Sequence, residues 1–185
     1  MRAPIPVALI LGLAATTLAD GRLAADEPTN HDGLLESPEA IADAVRSRFG
    51  AAVRIRSLSV QPASAQVEVQ DPALPANLDL YPFEDGGLGP PEPVQAGRNK
   101  RDFEARLFPF ADVDVRLIPR LLPDARRRAE TADARVVSVV IERSQSYGDS
   151  ELWGWPILRY TVDGPRGGAV VEYNLQGKHK RTTRW

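Results

Sequence analysis

The spacing of apolar and polar residues changes along the chain, and the changes mark its elements. Val7 to Leu18 is apolar apart from Gly12, Thr16 and Thr17. From Ile41, apolar residues recur at helical spacing through Ala44, Val45 and Phe49. Ser37 is a good N-cap for that helix, Pro38 suits its first position, Glu39 suits its positive end, and Gly50 stops it. Val53-Arg54-Ile55-Arg56 alternates, but Leu58 and Val60 fall on the opposite phase, which predicts a bulge or twist near Ser57. Ala65, Val67 and Val69 alternate cleanly with polar residues, and Pro62-Ala63-Ser64 turns the two strands into a hairpin. A third strand is expected from Leu78 to Phe83, with Pro82 placing it at an edge.

The pattern then repeats in outline. Asp112 to Ala132 carries Val115, Ile118, Leu121, Leu122 and Ala125 at helical spacing. Pro119 and Pro123 predict a short first turn, a break, and a helix starting near Pro123. Strands are expected over Arg135 to Arg143, Trp155 to Val162 and Ala169 to Leu175, the last two joined by a loop over residues 164–168. Val137, Val139 and Ile141 share one face, as do Leu158, Tyr160 and Val162. Between the halves, residues 84–111 begin with a stretch too rich in Gly and Pro for a helix or an interior strand, which reads as a linker or an ordered loop. The expected fold is α+β: two helix-plus-three-strand halves, residues 37–83 and 112–185, forming antiparallel sheet with helices packed on one face. Leu80-Tyr81-Pro82-Phe83 with Gly86 parallels Glu172-Tyr173-Asn174-Leu175 with Gly177, by duplication or by convergence on a common hairpin pattern.

The N-terminal apolar run changes the setting. Arg2 supplies a positive start, Pro4 and Pro6 interrupt the segment, and Thr17-Leu18-Ala19 places small residues at two peptidase-read positions. Residues 1–19 are therefore expected to be a cleaved signal peptide, with Ala24 or Ala25 as competing sites, and residues 20–36 a flexible mature N-terminus. No later segment approaches spanning length. The chain has no cysteine, which excludes a disulfide framework, a thiolate metal site and a lipidated cysteine, and it has no Asn-x-Ser/Thr triplet. The periplasm is the first expectation and the extracellular space the second. Without Arg2 the 23 Lys+Arg fall to 22 against 25 Asp+Glu, a net charge of −3 that does not suggest nucleic acid as a partner.

A helix with three antiparallel strands, closing in an aromatic-x-hydrophobic-polar-Gly turn, resembles the PepSY-type and related small exported domains of bacteria. The residues that carry it are Trp155 to Val162 and Val170-Val171-Glu172-Tyr173-Asn174-Leu175-Gln176-Gly177. The aspartate usual before that closing turn is Asn174 here. The resemblance implies a binding or inhibitory module of the cell envelope, not a catalyst.

Candidate chemistry is sparse. His31 falls in the N-terminal stretch and His179 between two lysines, so both read as solvated and neither as a metal ligand. Ser144 and Ser146 lack the turn that would present a nucleophile. Asp112 with Asp114, and Asp149 with Glu151, read as capping and loop residues. No catalytic residue, metal or cofactor is assigned. Trp153-Gly154-Trp155-Pro156 is the most unusual stretch: its indoles are either core or loop anchors, or line a partner-binding face with Arg159. The basic end, with Lys178, Lys180, Arg181 and Arg184, is either a solvated strand end or a frayed terminus, or else a contact for anionic lipid or polymer. Two functions follow: a non-catalytic module engaging an envelope protein or peptide through its sheet, or an envelope-associated structural protein using the basic end. A hydrolase stands behind both.

Overall fold

The computed structural model describes residues 33–95, 100–144 and 154–185. A short 3-10 turn, Gly33–Leu35, precedes helix α1, Glu39–Phe49, whose Ile41, Ala42 and Val45 are buried. The helix begins one residue later than expected: Pro38 is its N-cap and no side chain caps it. Strands β1 (Arg54–Val60) and β2 (Ala65–Gln70) form the expected hairpin, with the bulge between Ile55 and Ser57. Strand β3, Leu78–Glu84, adds to β2.

Residues 84–111 are not a bare loop or linker. Two short strands, β4 (Gly87–Leu88) and β5 (Glu92–Val94), fold back on β3, so Pro82 is not at the outer edge. The proline has no N–H to give, yet its carbonyl accepts the Gly89 N–H at 2.8 Å. Helix α2, Lys100–Arg106, and strand β6, Phe108–Pro109, follow, and β6 pairs with β1. A second 3-10 turn, Phe110–Asp112, leads to helix α3, Leu117–Ala129.

Helix α3 runs through both prolines without the expected break. Pro119 lies in the first turn, where a backbone N–H has no helical partner to lose. Pro123 forfeits one bond, four residues on. The Tyr160 hydroxyl, bonding the Leu117 and Ile118 carbonyls at 3.2 and 3.1 Å, fastens the same first turn to the sheet. The helix closes on Glu130 in the left-handed conformation, φ 54°.

Strands β7 (Arg135–Arg143), β8 (Pro156–Gly164) and β9 (Gly167–Asn174) form an antiparallel meander. A bulge between Val136 and Ser138 puts Val136, rather than Val137, on the core side with Val139 and Ile141. A further strand, β10 (His179–Arg184), pairs with β9 where the sequence predicts either a solvated strand end or a frayed terminus. The order across the sheet is β10-β9-β8-β7-β1-β2-β3-β4. Because β1 pairs directly with β7, the two helix-strand segments share one sheet within a single compact unit, His31–Trp185.

One sheet face carries the main core. Ile55, Leu58, Val67, Val139, Ile141, Leu158, Tyr160, Val162 and Val171 meet the buried sides of α1 and α3 there. The helices are not all on that face. Leu78 points the other way from Tyr81 and Phe83, and it clusters with Phe103 of α2 and Leu107. Helix α2 therefore covers the β3 end of the opposite face.

Candidate functional site

The remainder of that opposite face sets charged and polar residues among Val140, Ile157 and Val170, and cross-strand pairing dictates its order. Arg159 lies directly across from Glu172, and Glu172 across from Arg181. Arg159 Nε donates to Glu172 Oε1 at 3.1 Å, and its other end pairs with Glu142. Arg181 Nε donates to Glu172 Oε2 at 3.0 Å. Glu172 is only 1% exposed, so each of its oxygens is held by a guanidinium. Such a carboxylate is tolerable in the sheet only while paired. Beside this row, Arg56 and Ser57 hold Glu68 at 2.5–2.7 Å. Burial pushes the Glu68 carboxyl up, but hydrogen bonds from Arg56 and Ser57 outweigh it and hold the group below its ordinary value. A recess of about 380 Å³ between the two clusters is lined by Arg56, Glu68, Arg106, Glu142 and Arg143.

At the end of the same face, Trp155 immediately precedes β8 and is 66% exposed. It borders a groove of about 470 Å³ with Asp112, Ile157, Leu175, Gln176 and Lys180. The groove forms because Ile157 pairs with Asn174, and the chain then turns through residues 174–178 into β10. Asn174 Oδ1 organises that turn by accepting the N–H groups of Gln176 and Lys178, at 3.1 and 2.8 Å. The groove offers an indole, an amide and two opposite charges within a size suited to a side chain or small ligand.

The residues singled out in the sequence fare differently. Trp153, His31, Ser146, Asp149 and Glu151 lie outside the described residues. Trp155 is a surface residue, not a core anchor. Arg159 belongs to the ion-pair row rather than to the Trp155 groove. The basic end is a strand, which matches the expected strand end rather than the frayed terminus. Arg181 is held by Glu172, and Arg184 pairs with Glu130 at 2.7 Å while donating to the Arg128 carbonyl at the end of α3. Among the described residues, Lys178 and Lys180 have no carboxylate within ion-pair distance, and Lys180 lines the groove.

His179 is not a solvated tail residue. Its ring lies edge-on to Tyr173, centroids 5.8 Å apart, with Nε2 2.9 Å from Thr182 Oγ1. Burial, then the charge of Arg128, lowers its pKa below the ordinary histidine value. Asp114 accepts the Arg116 N–H at 3.1 Å in a turn just before α3, but the N-cap is Arg116 and no side chain caps the helix, so the expected helix-capping role is not found there. Beneath the helices, the Tyr173 hydroxyl donates to Asp124 Oδ2 at 2.8 Å, and Arg127 and Arg128 hold the same carboxylate. Burial raises the pKa of both Tyr160 and Tyr173, so they act as fixed donors rather than acids. Among the described residues, no group of three His, Asp or Glu side chains is placed to hold a metal ion. No helix among them is long and apolar enough to cross a membrane.

Sequence reasoning missed the ion-pair row. Its signal was present in Arg159, Glu172 and Arg181, each on the polar phase of its strand, but only the register brings them side by side.

The chain matches no protein-family model and no curated protein. Its fold is similar to the crystal structure of a candidate lipoprotein from Clostridium difficile 630, at a TM-score of 0.55. The match covers 83% of this chain and 99% of that one, at 10% identity. At that identity the likeness is one of fold alone.

Proposed function

We propose that this chain is an exported, non-catalytic module that engages an envelope protein or peptide through its sheet. The observation that carries the reading is the Trp155 groove. An indole two-thirds exposed at a strand end, beside a lysine, an aspartate and an amide, has the composition of a binding hot spot. The signal-like N-terminus, the absence of cysteine and the PepSY-type resemblance point to the same class. The lipoprotein description of the structural neighbour also agrees with export, although this chain has no cysteine to carry a lipid.

The alternative, attachment to anionic lipid or polymer through the basic end, has less charge to draw on. Arg181 and Arg184 are occupied by Glu172 and Glu130, leaving Lys178 and Lys180. Truncating residues 178–185 would remove β10 itself, so charge reversal is the cleaner test. A partner captured from envelope extract by the mature protein should be lost with Trp155→Ala and kept with the core-neutral Thr183→Ser. A Lys178→Glu/Lys180→Glu variant that loses sedimentation with anionic vesicles, alongside a Trp155→Ala variant that keeps its partner, would favour the alternative.

A further inference from the structure

The free edge of the sheet at β10 has a definite hydrogen-bonding polarity. Trp185 and Gly168 exchange both backbone hydrogen bonds, Gly168 N–H to Trp185 O at 3.4 Å and Trp185 N–H to Gly168 O at 3.1 Å. Antiparallel ladders alternate bonded and non-bonded pairs. The register therefore makes Thr183 with Val170, and Arg181 with Glu172, the other bonded pairs. Thr182 and Arg184 are then the non-bonded positions, so their N–H and C=O groups face away from β9. Since β10 ends the sheet order, no strand among the described residues takes up those groups.

Native sheets usually blunt such an edge with charge, and His-Lys-Arg-Thr-Thr-Arg does so here. The same charge selects among occupants. A second copy of β10 paired antiparallel about Thr182 would set Lys180 against Arg184, like charges directly opposed across the ladder. An extended acidic segment has the opposite charge. Lys178 and Lys180, the two cations of this end without a carboxylate partner among the described residues, stand where the segment would enter.

We infer that β10 takes an extended, acidic peptide segment by strand addition, its backbone bonding Thr182 and Arg184 and its carboxylates meeting Lys178 and Lys180. This rests on the proposed binding function and names its partner class. Lys180 also lines the Trp155 groove, so a side chain of the added strand can reach the indole.

The test uses the mature protein, an acetylated eight-residue peptide of alternating valine and glutamate, and the same peptide with lysine for glutamate. Amide exchange is followed residue by residue by NMR. Saturating glutamate peptide should slow exchange at Thr182 and Arg184 by roughly tenfold or more, and the lysine peptide should not. Lys178→Glu/Lys180→Glu should weaken binding by roughly tenfold. Thr182→Pro deletes an outward N–H without removing a bond to β9, so it should keep its circular dichroism spectrum and lose the peptide.

Binding of the glutamate peptide without slowed exchange at these two amides overturns strand addition, as does undiminished binding by folded Thr182→Pro. Equal binding of both peptides overturns the acidic class. Protection of the same amides that rises with protein concentration alone overturns it in favour of a second copy. Failure to bind the glutamate peptide, while an envelope partner is still captured in a Trp155-dependent way, overturns this inference and leaves the proposed function standing.

Discussion

Consecutive residues of β8 belong to two different environments. Leu158, Tyr160 and Val162 lie in the main core under α3, whereas Arg159 lies in the ion-pair row on the other face, and Trp155, just before the strand, is largely exposed. On the helix-covered face, stability comes from removing apolar surface from water, and polar atoms appear only where a partner is fixed, as with Tyr160 and the α3 carbonyls. On the open face, Arg56 with Glu68, and Arg159 and Arg181 with Glu142 and Glu172, are arranged around neighbours across the strands. One side of the strand holds the fold together, and the other leaves side chains available to a partner.

The largest effect should come from the covered face. Ile141→Ala removes a fully buried side chain between β7 and the helices and should cost about 2–5 kcal/mol in urea unfolding. A loss below about 1 kcal/mol would mean that the two faces are not as different as the packing indicates.

The next effect separates paired charge from ordinary surface charge. Arg159→Met leaves Glu142 unpaired and Glu172 with Arg181 alone, and should cost about 1–3 kcal/mol. Arg46→Met, at an exposed pair with Asp43 on α1, should cost under about 0.5 kcal/mol. Equal costs would show that the row is no more than surface decoration.

A smaller effect is expected from pH. Glu68 and Asp124 are both held below their ordinary values: burial raises each, and hydrogen bonds from Arg56 and Ser57, or from Arg128, Tyr173 and Arg127, outweigh it. Groups with depressed folded pKa values bind more protons unfolded. Their contribution is thus complete above the ordinary carboxylate range of about pH 4 and is lost as pH falls through the lower folded values. Urea unfolding across that window should show a stability slope, and Glu68→Gln should flatten part of it. An unchanged slope in the variant would remove Glu68 from the account.

Much of this division was legible in the sequence. The strict alternation of Ala65, Val67 and Val69, the phase break at Ser57 and the helical spacing of Ile41 and Val45 each encode a local choice, and each is found as expected. The departures come from tertiary context. Gly and Pro between residues 84 and 98 signal irregular backbone, but only the presence of β3 turns Gly87–Leu88 and Glu92–Val94 into strands. Pro123 signals a break, but the packing of Leu117, Ile118, Leu122 and Ala125 on the sheet keeps α3 continuous. Strand β10 carries no apolar alternation because its edge position asks for charge rather than burial. The candidate site was legible at Trp155 and Lys180 as residue types. Their meeting in one groove depends on the β9–β10 turn, which no local pattern announced.

The contrast between the two faces is tested most directly by urea unfolding of Trp155→Ala. If Trp155 belongs to the open face, removing its indole should change stability by less than about 0.5 kcal/mol, in keeping with a surface substitution. A loss of about 3–5 kcal/mol, the cost of deleting a buried tryptophan, would place the indole in the core and contradict its role as the exposed contact of a binding groove.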